Sequence, residues 1–155
     1  MAALAAPPEV LPALISGEKT ESHLLVSTFL IRLRPLRGAV KEGIIADLAD
    51  SEGVKWAAIL SDEGFLTEVA GAPASSLEAT GSIAPSFKQA AEDLLANWQE
   101  GSISRTTVLA EDGVVIIQTL GVGTSLICQL HPGANLGHIR LIVEECCNLL
   151  QPLLD

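Results

Sequence analysis

The side chains best suited to metal binding stand together near residue 130. Cys128, His131 and His138 are residue types that zinc accepts, and Cys128-x-x-His131 has the spacing of half a zinc site. A closed zinc site needs four ligands, commonly in two short pairs, and the chain has no second pair of this kind. We therefore interpret Cys128 as a buried strand thiol and both histidines as surface or helix-end residues, and we predict no metal site.

A glycine-containing segment, Gly121-Val122-Gly123, superficially resembles a phosphate-binding loop. Such a loop needs a helix N-terminus behind it to supply oriented N–H groups. This segment leads instead into the apolar run Leu126-Ile127-Cys128, which is typical of a strand. We predict a hairpin turn here, and neither a nucleotide nor any other cofactor.

Paired carboxylates are the remaining candidates for catalysis. Acidic residues are adjacent at 62–63, 92–93, 111–112 and 144–145. Consecutive residues project to different sides of a helix or strand, so none of these pairs forms a facing acid–base couple. The chain also lacks a G-x-S-x-G nucleophile elbow. We assign no catalytic residue and predict that the protein is not an enzyme.

Charge is distributed unevenly along the 155 residues. Residues 1–41 carry five basic and three acidic residues, whereas residues 42–155 carry four basic and sixteen acidic ones, which together give the net charge of −10. An acidic body repels phosphate polyanions, and only 3% of residues are aromatic, so nucleic-acid binding is not expected. The cations Arg32, Arg34 and Arg37 are candidates for contact with an acidic partner.

Composition indicates a folded protein of the cytoplasm. Hydrophobic residues make up 48% of the chain, which excludes disorder over most of its length. The longest dense apolar run, residues 24–31, is far shorter than the ~20 residues that cross a bilayer, so no membrane insertion is expected. Three cysteines, two of them adjacent, do not make a secreted disulfide framework.

Hydrophobic periodicity and turn residues predict the order α-β-β-α-β-β-β-α after an N-terminal extension. We place the extension at residues 1–37 and the domain at 38–155. Val40, Ile44, Ile45 and Leu48 mark the first helix, with Lys41 facing water. The strands are predicted at residues 54–60, 65–69, 103–109, 114–120 and 125–130. Pro85 interrupts the helical pattern of residues 76–101, which predicts either a start or a kink there.

Three stretches of the sequence resemble the roadblock (dynein light chain) family, including its bacterial branch associated with small Ras-like GTPases. Residues 48–66 are similar to the end of the family's first helix and its opening hairpin. The helix of residues 76–101 is similar to its central helix, and residues 132–145, beginning Pro-Gly-Ala-Asn-Leu-Gly, to its closing turn and last helix. The resemblance covers about residues 38–152.

The resemblance implies an α+β fold: a five-stranded antiparallel sheet with helices on both faces that forms a homodimer. In family members the third strand pairs with its counterpart and the central helices pack together. The corresponding interface here comprises Ile83, Phe87, Ala91, Leu94, Trp98, Ile103, Arg105, Thr107 and Leu109.

The implied function is a homodimeric regulatory or scaffold module that binds a small Ras-like GTPase and modulates its nucleotide cycle or localisation. One alternative is an adaptor in a larger complex with no effect on nucleotide turnover. Another is a small-molecule sensor that uses the region of Cys128 and His131.

Overall fold

The computed structural model describes residues 36–73, 76–98 and 101–154. The elements within them follow the order α-β-β-α-β-β-β-α, as predicted. They are α1 (residues 36–50), β1 (Val54–Ser61), β2 (Leu66–Gly71), α2 (Leu77–Asn97), β3 (Arg105–Ala110), β4 (Gly113–Gly121), β5 (Thr124–Leu130) and α3 (Leu136–Leu150), followed by a short 3₁₀ turn (Gln151–Leu153).

The five strands form one antiparallel sheet in the order β2-β1-β5-β4-β3. Strand β5 lies at its centre between β1 and β4, and five consecutive residues of β1 are buried. Strands β2 and β3 are the two edges. The fold class is therefore α+β with helices on both faces, which confirms the prediction.

Two hydrophobic cores lie on opposite faces of this sheet. The larger one packs α1 and α3 against it through fully buried residues such as Ile45, Ile139 and Val143. The smaller one lies beneath α2 and contains Trp56, whose indole N–H donates to the Gln129 side-chain oxygen at 2.7 Å. Among the described residues, one face of the sheet is thus covered by two helices, α1 and α3, and the other by α2.

Helix α2 continues through Pro85, so the prediction of a start at that residue is wrong. Its N-terminus is capped by the Ser76 hydroxyl, which accepts from the Ala79 N–H at 3.1 Å. Proline lacks the N–H that would bond to the carbonyl of Gly81, four residues earlier. That carbonyl instead faces the β1–β2 turn, where a Cβ placed on Gly64 would lie 2.6 Å from its oxygen. A Cβ on Gly81 would likewise collide with the Gly64 carbonyl oxygen, so the two glycines permit this close approach.

Three local predictions need correction. Ile103 precedes β3 rather than belonging to it, and its carbonyl accepts from the Thr119 hydroxyl at 3.2 Å. Lys41 lies 3.6 Å from the Glu68 carboxylate instead of projecting into water, because β2 brings that carboxylate to α1. Val40 is exposed although its spacing fitted the core face.

The N-terminal extension lies almost entirely outside the described residues, and a compact unit begins at Val40. None of the helices within the described residues is long and apolar enough to cross a membrane.

Candidate protein–protein interface

Strand β3 is an edge of the sheet, and within the described residues no strand pairs with its outer side. The Thr119 N–H donates to the Ser104 carbonyl at 2.8 Å, and β3 continues in register from Arg105 opposite Gln118 to Ala110 opposite Gly113. In an antiparallel ladder, hydrogen-bonded and non-hydrogen-bonded pairs alternate. The even-numbered residues of β3 therefore bond to β4. The N–H and C=O groups of the three odd-numbered residues, Arg105, Thr107 and Leu109, point away from the sheet.

Helix α2 carries a stripe of exposed apolar side chains. At 3.6 residues per turn, residues 83, 87, 94 and 98 fall within about 60° of the helix circumference. Their exposed fractions are 66% for Ile83, 43% for Phe87, 51% for Leu94 and 63% for Trp98. The two buried residues of α2, Gly81 and Ala84, are both small, so the helix packs on the domain through a side that carries small side chains. The large apolar side chains of the stripe are left exposed, where another protein surface can contact them.

The nominated strand residues lie on the face of the sheet opposite α2. Thr107 is paired with Ile116, whose side chain belongs to the core under α1 and α3. Because side chains alternate along a strand, Arg105 and Leu109 share that face with Thr107. Thr106 and Val108, which sequence reasoning did not nominate, lie on the face of α2 opposite Ile117 and Val115.

Ala91 and Trp98 are also among the residues nominated for the interface. Ala91 is half-buried, on the side of α2 between the stripe and the sheet. Trp98 is the C-cap residue of α2 rather than a residue of its last turn, and its N–H donates to the Leu95 carbonyl at 3.0 Å. Ile83, Phe87 and Leu94 are exposed on this stripe, and the role of the nominated residues in a dimer interface stays a prediction.

Arg105 lies beside an open polar cavity of about 400 Å³ on the α3 side of the sheet. Its Nε donates to the Gln118 side-chain oxygen at 2.5 Å. Glu144 and Asn148 of α3 and Gln151 of the 3₁₀ turn line the same cavity. Among the described residues, no carboxylate lies within 4.0 Å of the Arg105 guanidinium.

The other nominated cations lie near or outside the limit of the described residues. Arg32 and Arg34 fall outside them, so their nomination as partner contacts stays a prediction. Arg37 lies in the first turn of the described part of α1 and is half-buried.

The candidate metal and thiol residues do not converge. Cys128 is fully buried in β5, and desolvation by burial, with Cys147 nearby, raises the pKa of its thiol to about 12. His131 and His138 are exposed beside the α3 N-terminus, where Asn135 caps the helix. Within the described part of the chain, no cluster of three His, Cys, Asp or Glu side chains could hold a metal ion.

Comparison with solved structures identifies the fold. A roadblock/LC7 domain from Streptomyces avermitilis is 16% identical with a TM-score of 0.66, covering 72% of this chain and 94% of that one. MglB from Myxococcus xanthus is 15% identical with a TM-score of 0.68, covering 73% and 93%. A structure described as MglB with tetrameric arrangement is 16% identical with a TM-score of 0.69, covering 76% and 89%.

These likenesses confirm that the chain has the fold of the roadblock family. No protein-family model matches the chain, and no curated protein was found to match its sequence.

Proposed function

We propose that this chain is a homodimeric, non-enzymatic regulatory module that binds a small Ras-like GTPase and modulates its nucleotide cycle or its location. The observation that carries the proposal is a regular strand edge, unpaired among the described residues, in a domain whose α2 helix exposes a stripe of large apolar side chains. Both features are liabilities in an isolated monomer, and contact with a second protein surface removes them.

Self-association accounts for both features together. Antiparallel pairing of two β3 strands would satisfy the outward N–H and C=O groups of Arg105, Thr107 and Leu109. The resulting two-fold contact is isologous, so each α2 stripe would face its own copy. The arrangement matches the one that the roadblock resemblance implies, and one solved neighbour is described as tetrameric MglB.

The GTPase partner is proposed from the family resemblance and is supported by the charge of the domain. Residues 42–155 carry four basic and sixteen acidic residues. Such an excess attracts a basic partner surface and speeds its association at low salt. The two arginines of this range lie in regular elements, Arg105 in β3 and Arg140 in α3, so neither is placed on a loop like a catalytic finger. Any change in nucleotide turnover would arise from reshaping the GTPase.

The test is to mix the purified protein with candidate small Ras-like GTPases of its source organism. We expect co-elution on size-exclusion chromatography, a preference for the GDP- or the GTP-analogue-bound state, and altered GTP hydrolysis or nucleotide release. Capture that ignores the bound nucleotide and leaves turnover unchanged would identify an adaptor instead. Absence of both co-elution and any change in turnover would reject the GTPase proposal.

A further inference from the structure

We propose that the cavity lined by Lys41 and Glu68 binds a small zwitterion, an α-amino acid with an aliphatic side chain. The cavity has a volume of about 310 Å³, at the lower end of the range of small-molecule sites. It lies beside strand β2, on the face of the sheet that packs against α1, and the C-terminal 3₁₀ turn closes one side of it. This inference goes beyond the proposed regulatory function and does not depend on it.

A bulge in β2 aims the Glu68 carboxylate at this cavity. Three residue steps from Thr67 to Ala70 lie opposite the two steps from Ile59 to Ala57, so β2 contains one extra residue. Glu68 has a φ of 45°, and within the described part of the chain it is the one non-glycine residue with a positive φ. Backbone strain of this kind persists where the surrounding structure holds it, and it is concentrated at functional sites. The strain here turns the carboxylate towards Lys41 of α1.

One oxygen of this carboxylate has no hydrogen-bond partner among the described residues. The Glu68 Oε2 is buried and unpaired, and the Lys41 Nζ lies 3.6 Å from Oε1, which is beyond hydrogen-bond distance. A buried oxygen without a donor is costly, so a ligand that donates a hydrogen bond to it is stabilised. Glu68 is the one carboxylate of the cavity, and a divalent cation takes about six oxygen ligands. An ammonium group, with three N–H donors, fits this site better.

Lys41 supplies the opposite charge in the same cavity. Its ammonium group is mostly buried there and can bind a ligand carboxylate through charge-assisted hydrogen bonds. In an α-amino acid the nitrogen and the carboxylate oxygens are about 3 Å apart. This spacing is close to the 3.6 Å between the Lys41 Nζ and the Glu68 Oε1. The ligand can therefore lie across the pair with each of its charges facing the opposite one, whereas a simple anion or cation would meet a like charge.

The remaining residues of the cavity indicate the type of ligand side chain. Ile59, Leu153 and Leu154 provide apolar surface, which an aliphatic side chain covers favourably. Lys41 and Glu68 are the two charged residues of the cavity, so a charged ligand side chain would find no further counter-ion there. Leucine is therefore a suitable probe.

The inference is tested by NMR titration of the isotope-labelled full chain with L-leucine. We expect saturable shifts centred on the amides of Ser61, Thr67 and Thr124, which line the cavity, with a Kd of about 1 mM or tighter. Leucinamide lacks the carboxylate and N-acetylleucine lacks the ammonium group, so each should bind at least about 10-fold more weakly. Shifts that do not saturate with leucine, or equal binding of the three compounds, would overturn the proposal.

Two variants that each remove one charge assign the contacts. Lys41→Met should bind leucinamide more tightly than leucine, and Glu68→Gln should bind N-acetylleucine more tightly than leucine, because each ligand then avoids a like charge. Damage to the fold would weaken all three compounds together and would not reverse their order. A folded variant that keeps the wild-type order would overturn the assignment of its residue. If either variant fails to fold, the three compounds on the wild-type protein still decide the proposal.

A second ion pair provides matched controls. The Lys88 Nζ lies 3.4 Å from the Asp62 carboxylate, and neither residue lines the cavity. Lys88→Met and Asp62→Asn make comparable charge changes and should keep the wild-type order of the three compounds. The cavity is built from one chain beside β2, whereas β3, proposed above to pair with a second copy, is the opposite edge. Failure to bind leucine would therefore leave the dimer and GTPase proposals standing, and a monomeric protein could still bind leucine.

Discussion

Phe87 offers the sharpest test of the α2 stripe because it lies near the middle of the helix and is 43% exposed. A fully covered phenyl side chain buries about 150–250 Å², so covering the exposed part of Phe87 removes roughly 90 Å² from water. At about 25 cal/mol per Å² this contributes about 2 kcal/mol per protomer. A two-fold contact buries this surface twice, so Phe87→Ala should reduce the free energy of dimerisation by up to about 4 kcal/mol. This corresponds to a roughly 1000-fold rise in Kd.

The assay is sedimentation equilibrium over a wide concentration range, which gives the monomer–dimer Kd directly. Leu141→Ala is the matched control, because Leu141 is 67% exposed on α3, across the sheet from α2. It removes a comparable apolar side chain and should leave Kd within about 3-fold of the wild type. Urea unfolding of both variants verifies that each protomer remains folded.

The reasoning would be refuted by a Phe87→Ala protein that is folded and dimerises as tightly as the wild type. It would be refuted equally by a Leu141→Ala variant that loses the dimer, since that would place the interface on the α3 side. Weakening by Phe87→Ala alone supports α2 as the contact surface.

Four further predictions concern the folded domain itself. Gly81→Ala should lower the free energy of unfolding by about 1–3 kcal/mol in urea titrations, because the added methyl group collides with the β1–β2 turn. Gly43→Ala, whose methyl group would meet nothing within 4 Å in α1, should raise it by about 0.5–1 kcal/mol. Burial raises the pKa of Cys128 and Cys147 to about 12 from an ordinary 9.0, so a thiol reagent at about pH 8 should label them only after unfolding. The unfolded thiols ionise first, so stability should decrease as the pH rises from 9.0 towards 12, and fast labelling of the folded protein would contradict this burial. Asn135→Ala should destabilise the domain by about 1 kcal/mol in thermal melting, because it removes the N-cap that accepts from the His138 N–H; an unchanged melting temperature would contradict that role.

The order of elements could be predicted because local chemistry determines it. Turn residues such as Gly64 and Gly123 have positive φ and separate runs whose apolar periodicity is clear. The order of strands in the sheet could not be predicted in this way, because apolar periodicity indicates that a strand is buried but not which strand lies beside it. β1 and β5, far apart in sequence, are neighbours at the centre of the sheet.

The course of α2 past Pro85 could not be predicted from the helix alone. Proline removes a hydrogen bond and crowds the carbonyl four residues earlier, and both effects disfavour a continuous helix. The carbonyl that loses this bond belongs to Gly81 and faces the turn at Gly64. This close approach is a tertiary contact between residues of two elements, and no local pattern contains it.

The sequence shows only part of the surface that forms the candidate interface. The excess of large apolar residues on α2 is visible in the spacing of Ile83, Phe87 and Leu94. Alternation in β3 predicts two sets of side chains, but it does not say which set faces α2. The structure places Thr106 and Val108 there, so sequence reasoning selected the set on the opposite face.

The two edges of the sheet differ in a way that limits how copies can associate. Strand β2 is interrupted by a bulge between its pairings with Ala57 and Ile59, where Glu68 has a φ of 45°. A bulge disrupts the regular row of N–H and C=O groups, so β2 is a poor template for another strand. β3 keeps an unbroken register along its whole length. If both edges were regular, copies could add to each end of the sheet and grow into an open filament. Among the described residues β3 is the one regular edge, so the proposed pairing of β3 with itself would occupy that edge and the assembly would close at two sheets.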